Sequence, residues 1–173
     1  MKSIILFRHG KSDWNANYHE DHNRPLSDRG VKAAKKMGKY LHIIQQKPNL
    51  VISSIALRAK ATAQIAKKYG DWDADLILEK RIYESSVNEL INILNEQKSV
   101  IDLICLVGHQ PTLSSFIFEM TNSSWVKFQT AAMARINFNI ENWDELKIGE
   151  GKLSWLKKPK EIDLDSHDYY AIR

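Results

Sequence analysis

Apolar and polar residues alternate in blocks along this chain, and the block lengths predict which elements form. Residues 3–7 are a short apolar run closed by Arg8, His9 and Gly10, which reads as a buried strand with a glycine at its exit. Residues 11–26 are polar and carry Trp14 and Pro25, so they predict a loop long enough to suspect function. Ser27 is a good N-cap for a helix over 28–46, with Ala34, Met37, Leu41 and Ile44 as its buried stripe. Lys32, Lys35, Lys36 and Lys39 repeat on the opposite face, which reads as a solvated surface. Residues 50–52 predict a second strand ending at Ser53 and Ser54. A helix over 56–69 follows, with Thr62, Ile65, Ala66 and Tyr69 on one face and Gly70 as its stop. Residues 75–78 predict a third, short strand. Ser86 to Glu89 has the form of a capping box, opening a helix with Val87, Leu90, Ile91 and Leu94 inward. Residues 103–107 are the most continuous apolar strand, and Pro111 suits the first turn of a helix to about residue 120. Residues 135–140 alternate like a half-exposed strand, with 152–156 as its hairpin partner.

Strand and helix therefore alternate over the first 120 residues. The expected fold class is α/β: three layers, α/β/α, around a mostly parallel central sheet with an antiparallel edge strand or hairpin. Ligands in such sheets bind beyond the carboxyl ends of the strands. The length of 173 residues, with 43% hydrophobic and 27% charged positions, fits one globular domain and excludes a disordered chain. We expect a single domain over 1–160 and a loosely held tail over 161–173, where lysines give way to Glu161, Asp163, Asp165 and Asp168. No apolar run approaches the ~18 residues of a membrane span. The first apolar stretch is too short for a signal-peptide core, and a cytoplasmic protein is expected. One cysteine, Cys105, lies in an apolar run and reads as a buried small hydrophobe, so no intrachain disulfide forms. The net charge of +4 is mild. Trp125, Phe128, Trp143 and Trp155 are scattered rather than laddered, so neither nucleic acid nor membrane is an expected partner.

The chemistry sits where the strands end. Arg8 and His9 follow the first strand, Arg58 follows the second by one helical turn, and His109 follows the buried strand at 103–107. Two guanidinium forks, two imidazoles and a helix N-terminus are the parts that hold a phosphoryl group. An imidazole with a free ring nitrogen can attack phosphorus in line, while arginines stabilise charge on the equatorial oxygens. Adjacent positive charge also favours the neutral, nucleophilic imidazole. This scheme requires neither metal nor cofactor. His19, Glu20, Asp21 and His22 have the look of a metal cluster, but no further ligands stand at evident spacing. The loop that carries them could rim the pocket, with Asn15 and Arg24 as candidate substrate contacts; Ser53 is a further candidate by position alone. No Gly-x-Ser-x-Gly elbow surrounds any serine pair.

These motifs resemble those of the histidine phosphatase superfamily, the phosphoglycerate-mutase-like fold. Arg8-His9-Gly10 resembles its signature, and Arg24-Pro25-Leu26-Ser27-Asp28-Arg29-Gly30 its entry to the first helix. Ser53-Ser54 through Arg58-Ala59 to Thr62-Ala63 resembles its arginine segment, and Gly108-His109-Gln110-Pro111 its second-histidine segment. The short length is most similar to the SixA-type phosphohistidine phosphatases. The resemblance implies that His9 is the nucleophile, that Arg8 and Arg58 bind the phosphoryl oxygens, and that His109 binds the same group. Many relatives protonate the leaving group with a glutamate after the third strand, which makes Glu84 the candidate. The alternative for Glu84 is a surface carboxylate favoured near a helix start. The implied function is a metal-independent phosphatase acting on protein phosphohistidine. A phosphatase of a small phosphorylated metabolite and a non-catalytic phospho-ligand module on the same fold are the alternatives.

Overall fold

The computed structural model describes residues 1–165. Six strands form one sheet: β1 (Lys2–Arg8), β2 (Leu50–Ser53), β3 (Asp75–Leu78), β4 (Leu103–Gly108), β5 (Met133–Phe138) and β6 (Lys152–Lys157). Their order is β3-β2-β4-β1-β5-β6. The first four are parallel, and β5 and β6 complete the sheet antiparallel. The helices are α1 (Asp28–Ile43), α2 (Leu57–Tyr69), α3 (Val87–Asn95) and α4 (Thr112–Thr121). The expected α/β class, with a mostly parallel sheet and an antiparallel edge hairpin, is present.

The two-residue period of the strands divides the core. In β1, Ile4 and Leu6 face one cluster with Leu90, Ile93, Phe116 and Met120 of α3 and α4. Ile5 and Phe7 face the other with Met37, Leu41, Ala59 and Ala63 of α1 and α2. All four β1 side chains are fully buried, each contributing about 1.5–3 kcal/mol. β4 is buried along its whole length, and Cys105 lies within it as a free thiol pushed up in pKa by burial.

Three local expectations shift, each for a packing reason. Helix α1 stops at Ile43 rather than 46, because Gln45 takes a left-handed backbone (φ 59°). Gln46 then turns inward, where its Oε1 accepts from Arg135 Nη1 and Trp155 Nε1. The buried face of α2 is Ala59, Thr62, Ala63 and Ala66, while Tyr69 is exposed. Helices α1 and α2 approach so closely at Gly38 that a Cβ there would collide with the Ala66 carbonyl, so only small residues fit. Tyr69 instead lies beside Lys35 and Lys68. Strand β5 begins at Met133, two residues earlier than expected, in register with Phe7 of β1.

Ile162 is 3% exposed and packs in the α1/α2 cluster, with Leu164 against it, so the core reaches past residue 160. The remainder of the expected tail, 166–173, lies outside the described residues. No helix of the described residues is long and apolar enough to cross a membrane. Trp143 and Phe128 are core residues, and Trp155 packs edge-on to Tyr40.

Candidate active site

Strand register builds the site. Arg8 pairs with Gly108 at the ends of β1 and β4, so the next residues, His9 and His109, leave the sheet side by side. Their rings lie 5.2 Å apart between centroids. The His9 backbone is tied on both sides, its N–H donating to the Gly108 carbonyl and its carbonyl accepting from Ala131. Arg58, in the first turn of α2, is 5% exposed. Thr62 locks this turn to the β1 exit: its Oγ1 donates to the Arg58 carbonyl at 2.7 Å and accepts from Gly10 N–H at 3.0 Å.

A cavity of about 330 Å³ opens over these strand ends, lined by Arg8, His9, Arg24, Arg58 and His109 together with Trp14. All four residues expected from the strand ends are therefore brought together. Arg24 joins them: its Nε donates to Ser12 Oγ at 2.9 Å, and its guanidinium carbon lies 3.5 Å from the Trp14 ring centre. Asn15 and Ser53 do not line the cavity; Asn15 is exposed, and the Ser53 hydroxyl donates to the Ser54 carbonyl. Ser12 lines the cavity, and Ser54 meets the site from behind, its Oγ 2.7 Å from His109 Nε2. Glu84 also stays outside. Its backbone is left-handed (φ 54°) in the turn before α3, and its side chain is exposed.

The carboxylate that does reach these cations is Asp21. It accepts from Arg58 Nη2 at 3.0 Å, Arg24 Nη1 at 2.5 Å and Tyr83 Oη at 2.8 Å, and its carbonyl accepts from Arg58 Nη1 at 2.9 Å. The Tyr83 hydroxyl and the two guanidinium groups hold Asp21 below the usual carboxylate range. Its position in the His19–His22 run was the only sequence signal, and that run pointed to a different chemistry. Among the described residues, no group of three or more His, Cys, Asp or Glu side chains is placed to hold a metal ion.

The His9 Nδ1–H donates to the Gly10 carbonyl at 2.7 Å, which assigns the proton and leaves the Nε2 lone pair free. Burial, followed by the charges of Arg58 and Arg8, lowers the His9 pKa to about 4. Burial, His9 and Arg58 lower that of His109 to about 3. Both imidazoles are neutral at pH 7. Arg8 Nε, Arg58 Nε and His109 Nδ1 are buried without a protein partner, at a cost of about 1–3 kcal/mol each that an anionic acceptor would offset. The arrangement can therefore bind a tetrahedral oxyanion and present a neutral imidazole nitrogen to it.

The pH consequence has a definite sign. An unfolded histidine takes a proton near its ordinary value of 6.5, while folded His9 resists protonation down to about 4. The unfolded state thus binds more protons between these values, and stability declines as pH falls below about 6.5. Neutral His9 persists through the same range, so the acid limb of kcat/KM is expected near pH 4. A pH–rate profile with urea midpoints measures both; an acid limb at pH 6–7 would contradict this electrostatic reading.

An α/β sheet with two imidazoles and three guanidinium groups over its strand ends defines a class of phosphoryl-group chemistry. Similarity to known proteins narrows the class. The family model of the histidine phosphatase superfamily (branch 1) matches residues 4–102. An uncharacterized protein of Mycobacterium leprae is 24% identical over 165 residues, covering 88% of this chain and 99% of that protein. A proposed SixA phosphohistidine phosphatase of Nakamurella multipartitia superposes with a TM-score of 0.80 at 20% identity, covering 91% of this chain and 96% of that one. The protein histidine phosphatase SixA complexed with tungstate gives 0.77 at 19% identity, covering 93% and 99%. The chain belongs to the histidine phosphatase superfamily, with a SixA-like fold, and is a hydrolase of the phosphatase class.

Proposed function

We propose that this protein is a metal-independent phosphohistidine phosphatase that works through phospho-His9. His9 Nε2 attacks phosphorus while Arg8, Arg58 and His109 hold the phosphoryl oxygens, and the P–N bond of the substrate breaks as its imidazole leaves. Water then attacks phospho-His9, releasing inorganic phosphate and restoring the free imidazole. Positive charge comes from the arginines, so the scheme uses no divalent ion.

The observation that carries the substrate class is that, among the described residues, no Asp or Glu lines the cavity. Asp21, at its edge, is held ionised by Tyr83, Arg58 and Arg24, and His109 is neutral at pH 7. Among the described residues, the cavity lining therefore offers no carboxylic acid to protonate an alkoxide. An imidazole leaves near neutral pH without a strong acid, whereas an alkyl phosphate ester depends on one. The fold likeness to SixA agrees with this reading.

The expected result is that chelator-treated protein hydrolyses a phosphohistidine peptide with kcat/KM at least about 100-fold above that for alkyl phosphate esters. Equal or greater turnover of the esters would favour a small phosphorylated metabolite. Activity that vanishes with chelator would contradict the arginine-based scheme.

A further inference from the structure

Two of the four lysines on α1 that read as a solvated face, Lys32 and Lys36, line a cleft, while Lys35 and Lys39 lie beside Tyr69. The volume of the cleft is about 290 Å³, and Lys11, Arg29, Lys32, Lys36 and Lys160 all contribute to its walls. Arg29, Lys32 and Lys36 follow the i, i+3, i+7 spacing of one helix face. Lys160 comes from the short turn Pro159–Glu161, some 130 positions later in the chain, and closes the opposite wall. The Lys36 Nζ donates to the Pro159 carbonyl at 3.2 Å, which joins the two walls. Among the described residues, no Asp or Glu lines the cleft and none of the five cations has an ion-pair partner. Lys11 and Thr130 line both this cleft and the cavity over His9, so the two are adjacent.

We infer that this cleft is a docking subsite for acidic side chains of the phosphorylated substrate, so that the preferred substrate is a phosphohistidine flanked by Asp or Glu. The inference rests on the phosphohistidine reading of the His9 site. Its charge is arranged differently from that of the catalytic cavity. There, arginine forks converge on one point, the geometry that suits a phosphoryl group. Here four of the five cations are lysines, which are separate point charges on flexible stems. The α1 cations span seven residues, about 10 Å at the 1.5 Å rise of a helix. Separate carboxylates on an extended peptide, spaced at about 3.3 Å per residue, match such a spread better than one compact anion. Unpartnered like charges repel one another, and an acidic segment relieves that repulsion.

The test uses two phosphohistidine peptides of identical length, one flanked on both sides by glutamates and one by glutamines, with an aryl phosphate as reference substrate. The wild type is expected to favour the glutamate peptide about tenfold in kcat/KM at low ionic strength and to lose that preference at high salt. A Lys32→Glu/Lys160→Glu double variant should lose the preference while turning over the aryl phosphate at the wild-type rate. Both positions are exposed and outside the His9 cavity, so unchanged aryl phosphate turnover also shows that the variant is folded. Equal hydrolysis of the two peptides by the wild type overturns the docking inference alone, as does a preference that survives in the double variant. Inhibition by tripolyphosphate that the double variant abolishes, without a peptide preference, reassigns the cleft to small polyanions and also overturns it. Aryl phosphate turnover with neither peptide hydrolysed overturns the phosphohistidine reading, and the docking inference falls with it.

Discussion

A His9→Ala variant is expected to lose at least about 10⁴-fold in kcat and to form no phosphoenzyme. Alanine removes the only group that the proposal places in line with phosphorus, and the neighbouring imidazole cannot replace it. The Ser54 hydroxyl, which accepts from Ala56 N–H, donates to His109 Nε2, so His109 Nδ1 carries the proton and can donate to a phosphoryl oxygen but has no lone pair to attack with. The fold should survive the substitution. The backbone of residue 9 keeps its bonds to Gly108 and Ala131, and only the side-chain bond to the Gly10 carbonyl is lost. Rapid quench with labelled substrate reads the intermediate directly: wild-type label should be acid-labile and base-stable, as a phosphoramidate requires, and absent from the variant. Near-normal turnover by His9→Ala would mean that the nucleophile is misassigned.

The second large effect is expected at Arg58. Arg58→Ala should reduce kcat/KM by about 10³-fold, the scale for removing a preorganised donor aimed at developing negative charge. Arg58→Lys should recover little, because a lysine lacks the planar fork. Asp21 holds that fork in place through two hydrogen bonds, one from each Nη, and so acts as a positioning residue. Asp21 keeps Arg24 and Tyr83 when Arg58 is removed, so the melting temperature should change only modestly. Full activity in a folded Arg58→Ala would remove this residue from the site.

Which of these residues could be read from sequence follows from how local their placement is. Arg8, His9 and His109 directly follow apolar runs, and a run that becomes a parallel strand delivers the next residue to the sheet's carboxyl edge. Arg58 lies one helical turn beyond another such run. Arg24 required the loop 11–26 to fold back, which it does through the bridge between Ser12 and Leu26. That loop has no period, so Asp21 could not be oriented from its neighbours and was grouped with His19 and His22. Glu84 could not be placed for a similar reason: its backbone is left-handed in the turn before α3, and its side chain is exposed. Ser53 and Ser54 differ by one position at a strand end, and that one step decides which hydroxyl meets His109.

By itself, the sequence determined the order and type of the elements, the two-faced core and the convergence of Arg8, His9, Arg58 and His109 on one cavity. Each of those follows from short-range periodicity and from the geometry of parallel strands. Only the tertiary structure decided that Asp21 orients Arg58 and Arg24, and that Glu84 stands outside the cavity. It also decided that Lys32 and Lys36 of α1 face the distant Pro159–Glu161 turn across a cleft instead of open solvent. Those contacts join segments far apart in the chain, where loop conformation and packing set distance and direction, and no local pattern of apolar and polar residues encodes them.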